Sequence, residues 1–298
     1  MKQDYYSDGQ NLTLKISGHE MNNGYNLYYV CRILSDFHSI IDKSYLTLSN
    51  KSKMSEKERQ ILNLRLISVN EGSFSADLAL HVLATTQMAL PFIVSLNPIS
   101  IWEIVKQSYE YLKFVLEGFH AGESISIEGG ENNTISVING GTNNNIIVFP
   151  QSRDLAIAAF SDYQNLLSNI GEGKGVDNVF IFNKKNNTNM LMDSNDKDLF
   201  DPPTKLNEDI IEIRAEIYRV DGHSLTGRLK VISTPEQDIV AGSEYTYELE
   251  NQRDIWKCAQ ALLKPALVSV RKEISFNPRT LDMAVSRLRL VSVDKILE

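Results

Sequence analysis

Most of the marks of a secreted, membrane-spanning or metal-dependent protein are missing from this sequence. Two cysteines in 298 residues, Cys31 and Cys258, are too few for a disulfide framework, which points to a reducing compartment. No apolar run reaches the 18 or more residues that a membrane-spanning helix needs. The opening MKQDYYSDGQ is polar and lacks the apolar core of a signal peptide. A cytoplasmic location is therefore the expectation.

A basic excess is missing too. Lys and Arg number 30 against 38 Asp and Glu, a net charge of −8. Basic and acidic residues number 11 and 12 over 1–118, 6 and 11 over 119–207, and 13 and 15 over 208–298. A chain with this balance has no long-range attraction for phosphate backbones, so only a local basic face could serve nucleic acid.

Catalytic signatures are equally scarce. There is no GxSxG elbow. The five histidines (His19, His38, His81, His120 and His223) are scattered, without a pair at i, i+4, and there is no CxxC, so neither a metal nor a cofactor is expected. Gly171–Asp177 (GEGKGVD) places Gly175 where a phosphate loop needs Ser or Thr, and it reads as a flexible connection. The acidic run from Asp193 to Asp198 lacks the mid-loop Gly of a calcium loop and has Thr204 where the bidentate Glu belongs, so it reads as part of a polar, Pro-containing linker over 194–209. Cys31 reads as a buried small hydrophobe on an apolar helix, while Cys258, beside Lys257, invites a lowered pKa. An enzyme whose site is assembled from distant residues stays open as a third reading behind the two given below.

Ordinary globular patterning fills the rest, and the expected class is α+β. Leu12, Leu14 and Ile16 alternate as in a half-buried strand. Leu27, Val30, Ile33, Leu34, Phe37, Ile40 and Ile41 recur at helical spacing. The charged stretch 51–59 suggests an exposed turn or short helix. Leu62, Leu64 and Leu66, then Phe74, Ala76 and Leu78, alternate around Asn70-Glu71-Gly72 and predict a hairpin. An apolar stretch over 80–96, broken by Pro91, precedes a second helix with Ser100 and Glu103 as its capping box and Gly118 as its stop. Residues 1–118 thus read as an N-terminal mixed α/β sandwich.

The most distinctive segment is 119–150. GGENNTI at Gly129–Ile135 returns as GGTNNNI at Gly140–Ile146, and each copy leads into a short alternating strand. Gly and Asn reach left-handed backbone at least cost, so these are turns in a three-stranded Gly/Asn-rich β meander. Its apolar side is Ile125, Ile127, Ile135, Val137, Ile146 and Val148. Three strands are near the minimum for stability and need that side covered. The cover is either helices of the same chain or the same segment of a second subunit, while the Asn amides also suit a sugar or an ion.

Residues 151–205 read as a helix over 153–170, a hairpin turned at 183–187, and a linker. From 206 to 298, strands over 210–220, 224–233 and 244–250, a helix over 254–263, and strands over 267–276 and 284–293 match a small OB-like β-barrel module. Arg271, Lys272, Arg287 and Arg289 there, near Trp256 and Phe276, are candidates for contacting single-stranded nucleic acid. The alternative is a solvated face neutralised by Glu273, Asp282 and Asp294. The leading expectation is a non-enzymatic interaction or scaffold protein whose partners are copies of itself and another protein. A nucleic-acid- or nucleotide-binding accessory factor is second.

Overall fold

The computed structural model describes residues 5–19, 24–70, 74–83, 100–130, 133–140 and 145–297. The turn at 71–73, nearly all of the apolar stretch over 80–96, and the corner residues 131–132 and 141–144 lie outside the described residues. The protein is mixed α+β and divides into two compact units, Met1–Asp201 and Pro202–Glu298.

The first unit is built on a five-stranded antiparallel sheet in the order β2-β3-β1-β7-β8, from β1 (Tyr5–Ser17), β2 (Leu62–Asn70), β3 (Phe74–Leu83), β7 (Asn178–Asn183) and β8 (Thr188–Asp193). Alternation decides its faces. Leu12, Leu14, Ile16, Val179, Ile181 and Met192 are all 0% exposed, while Thr13, Lys15, Phe180 and Phe182 point the other way. Removing each such aliphatic side chain from water contributes about 1.5–3 kcal/mol. Helices α1 (Leu27–Ser49), α3 (Ile101–Ala121) and α4 (Pro150–Ser168) cover the apolar face, and the short α2 (Glu56–Ile61) leads into β2. Residues 178–193, although distant in sequence, supply two of the five strands.

Caps set the helix limits. Asn26 accepts from the Tyr28 N–H, Ser55 from Glu58 and Ser100 from Glu103. Gly118 does not stop α3. The helix runs on to Ala121, and Gly122 ends it at φ 69. Leu27, expected on the apolar stripe of α1, is 69% exposed, and Cys31 is exposed as well, because the buried stripe runs through Val30, Ile33, Phe37 and Ile41. Residues 171–177, expected to be flexible, form a closed turn in which the Gly171 N–H donates to the Val176 carbonyl at 2.8 Å. The start of the expected linker is a helix, α5 (Ser194–Leu199), fixed by an Asp193–Asp196 capping box and followed by the buried Phe200.

The second unit is a closed five-stranded β-barrel. Strands β10 (Ile211–Asp221), β11 (Thr226–Ser233), β12 (Glu244–Leu249), β14 (Asp282–Ile296) and β13 (Pro265–Asn277) follow one another around it, and β13 pairs back to β10. All neighbours are antiparallel except β12 and β14. The two-residue β9 (Lys205–Leu206) pairs with β13, and helix α6 (Ile255–Gln260) stands between β12 and β13. Gly227 permits a close crossing, since a Cβ there would sit 2.2 Å from the Arg219 carbonyl oxygen. Cys258 is fully buried, and burial pushes its thiol up to about 11, opposite to the lowering suggested by Lys257.

At the α1–α4 junction, Asp162 accepts from the Ser39 hydroxyl at 2.7 Å and from Lys43 at 2.5 Å. Asp36 is pushed up to about 6, first by burial and then by the Asp162 carboxylate, with Arg32 opposing. The native state therefore holds a proton that the unfolded chain releases near pH 3.8, and stability contributed by this group falls as pH rises from about 4 to about 6. Asp36→Asn should raise the urea midpoint of the protein at pH 7, with the gain shrinking below pH 4. A gain that is equal at both pH values contradicts the assignment.

Candidate functional site

The meander is real and stands on α3. Strands β4 (Ile125–Gly129), β5 (Ile135–Asn139) and β6 (Asn145–Val148) form an antiparallel three-stranded sheet with β5 in the middle. Its seat depends on Gly118, because a Cβ there would lie 2.6 Å from the Asn139 side-chain nitrogen. Asn139 is 4% exposed, and its side-chain oxygen has no hydrogen-bond partner.

Coverage of the six predicted aliphatic residues is unequal. Val137 and Val148 are 0% and 3% exposed, so the chain's own helix seals them. Ile125, Ile127, Ile135 and Ile146 are only half-buried. Ile147, on the other face of β6, is 63% exposed. The three strands end in two outer ones, β4 and β6, that have no partner strand among the described residues.

Next to β6 lies a cavity of about 360 Å³ between α3 and the edge strand β8. Phe114, Ile146, Met190 and Leu191 give it an apolar floor, and Lys106, Glu110, Lys113 and Glu117 bring charge from α3. Most of that charge is committed. Lys106 pairs with Glu110 at 2.8 Å, and Lys113 pairs with the buried Asp196 at 2.6 Å. The Tyr109 hydroxyl donates to Asp196 at 2.7 Å, and the Asp193 N–H donates to the same carboxylate at 3.2 Å. Burial, followed by the Asp196 charge, raises the Tyr109 pKa well above the ordinary phenol range, so this hydroxyl stays a donor. It also reaches the Leu191 carbonyl at 3.4 Å, so the middle of β8 is capped from α3. This network explains the acidic run read as a linker: Asp193 caps a helix and Asp196 binds three donors.

In the barrel, each candidate cation has an internal partner. Arg271 binds Glu250 at 2.8 Å. Arg287 and Arg289 share Glu248 at 2.9 and 2.7 Å, and Arg289 also reaches Glu273 at 2.9 Å. Lys272 is 7% exposed and held by Glu236 and Asp238, both at 2.8 Å. Burial works against its charge, but the hydrogen bonds its ammonium donates to Asp238 and Glu236 outweigh that, and its pKa stays above the ordinary lysine value. Arg287 and Arg289 do share a face, as the alternation implies. Of the three expected carboxylates only Glu273 joins them. Asp294 accepts from Ser269, and Asp282 from the Met283 N–H. The partners missed, Glu248 and Glu250, sit opposite because β12 pairs with β14 in parallel, and no local pattern carries that pairing. Phe276 is 4% exposed and belongs to the core, whereas Trp256 is 76% exposed.

Among the described residues, no three His, Cys, Asp or Glu side chains are grouped so as to hold a metal ion, and no helix is long and apolar enough to cross a membrane.

Asp196→Ala should destabilise the first unit by about 2–3 kcal/mol, because it strands Lys113 and Tyr109 together. Tyr109→Phe should cost only about 0.5–1.5 kcal/mol. Equal losses in urea unfolding would show that Asp196 is not the hub. Comparison with known protein families, with curated proteins and with solved structures finds no match to this chain, so the reading of its site rests on its own geometry.

Proposed function

We propose that this chain is a non-enzymatic interaction protein that assembles with copies of itself through the sheet β4–β6. One observation carries the reading: both outer strands of a three-stranded sheet lack partner strands among the described residues, and four of its six inward aliphatic residues are only half-covered by α3. Open strand edges beside incompletely buried aliphatic side chains are where chains join by strand addition. A cytoplasmic setting fits two thiols that are both unpaired.

Light scattering tests it. The wild-type protein should weigh more than its 33.7 kDa chain at micromolar concentration, and Ile147→Lys should lower that mass without unfolding the protein, since residue 147 is 63% exposed. A wild-type protein of single-chain mass at all concentrations contradicts the proposal.

A second reading has one observation in its favour. The closed barrel runs β10-β11-β12-β14-β13, with β12 and β14 parallel and a helix between β12 and β13, which supports an OB-like module of the kind that accommodates oligonucleotides. Fold alone does not assign function, and the internal pairing of Arg271, Lys272, Arg287 and Arg289 weighs against a basic groove. This reading predicts salt-dependent binding to single-stranded DNA that Arg287→Ala with Arg289→Ala weakens. Absence of binding at low salt removes it.

A further inference from the structure

The sheet of the first unit has a second outer strand, β2, at the edge opposite β8. Helix α1 runs antiparallel along it. Tyr25, just ahead of α1, packs edge-on against Phe74 at the end of the β2–β3 turn, with ring centroids 5.5 Å apart. Further along α1, Asp42 binds Arg59 of α2 at 2.7 Å, next to the start of β2, and His38 contacts the same guanidinium at 3.3 Å. Residues at steps of three and four share a helix side, so Leu34, Cys31 and Leu27 continue the His38–Asp42 side toward the far end of β2.

That end of the strand is bare. Leu66 and Val69 register with the buried Leu78 and Ala76, which places them on the helix-covered side of the sheet, yet they are 54% and 49% exposed. Ile67, at the register shift between Leu66 and Ser68, is 62% exposed. Leu27 and Tyr28 on α1 are 69% and 59% exposed. Helix α1 therefore leaves an apolar strip along β2.

We propose that this α1–β2 strip is a two-fold contact between copies of this chain. Tyr25, Leu27, Tyr28, Leu66, Ile67 and Val69 each offer roughly 100 Å², so a symmetric pair buries about 1,200 Å² in all, the lower end for a specific interface. Each copy's share, about 600 Å², lies at the upper end of the largest apolar patch a soluble monomer ordinarily leaves bare. Charge is sparse and compatible with self-contact. Arg32 lies over the Tyr28 ring at 4.9 Å, and Arg65 pairs in register with Ala79, on the face of β2 opposite to Leu66 and Val69. The register shift interrupts the outer ladder, so the contact is side-chain packing rather than an extension of the sheet. The strip is separate from β4–β6 and does not rest on the self-assembly reading of that sheet. A chain using both would be bivalent.

Cys31 reports on the strip directly, because it is exposed within it and the other cysteine, Cys258, is buried. Maleimide alkylation of the native full-length chain should be about tenfold slower at high than at low micromolar protein, as mass action closes the contact. Ile67→Lys, and independently Leu27→Lys, should abolish that concentration dependence, whereas Ile147→Lys should keep it. A single alkylation rate at every concentration overturns the contact, whatever mass light scattering finds for the β4–β6 assembly. Retention of the dependence in both strip variants overturns it too, as does its loss in Ile147→Lys alone.

Discussion

The first unit depends on helix α3 having two occupied sides. One side buries Ile104, Val105, Leu112 and Val115 in the unit's core, all at 0% exposure. At the carboxyl end Gly118 offers no Cβ, and that vacancy lets Asn139 of the central strand β5 come down onto the helix. A three-stranded sheet has too little area to stand by itself, so this seat is what makes it a sheet at all. The seat is also narrow. It seals Val137 and Val148 under the helix and leaves the flanking isoleucines half in water.

Charge is used differently in the two units, with the same result. In the first, Asp196 gathers Tyr109, Lys113 and the Asp193 amide, and Asp162 gathers Ser39 and Lys43. In the barrel, Glu248 bridges two arginines, while Glu236 and Asp238 pin Lys272. Pairs of this kind fix geometry and contribute little net attraction for an outside charge. What the described surface offers a partner is apolar side chains and strand edges, and that is why we propose assembly ahead of recognition of a phosphate chain.

Local signals in the sequence were dependable where one element decides its own form. Alternation at Leu12, Leu14 and Ile16, helical spacing through Val30 and Phe37, and the Ser100 cap all act within a few residues, and the structure contains each. Non-local pairing escaped. Strand β7 pairs with β1 in the central sheet, with β8 beyond it at the edge, although more than 160 residues separate Ser17 from Asn178, which are paired. Gly118 carries the local signal of a helix stop, yet its role is set by Asn139, 21 residues later, so a propensity argument misassigns it. Cys31 was read as buried because its neighbours are apolar, but the helix turns it away from the core. Among the candidate site residues, the six aliphatic positions of the meander were legible as one face. How unequally α3 covers them was not, since that depends on where the helix lies and not on the strands.

Amide hydrogen exchange followed strand by strand as a function of protein concentration tests the central claim most directly. If the outer strands of the meander bond to another copy, amides of β4 and β6 that face away from β5 gain protection as concentration rises, while those of β5 stay constant. If the outer-strand amides exchange at one unprotected rate from dilute to concentrated protein, the sheet is an ornament of a monomer and the account fails.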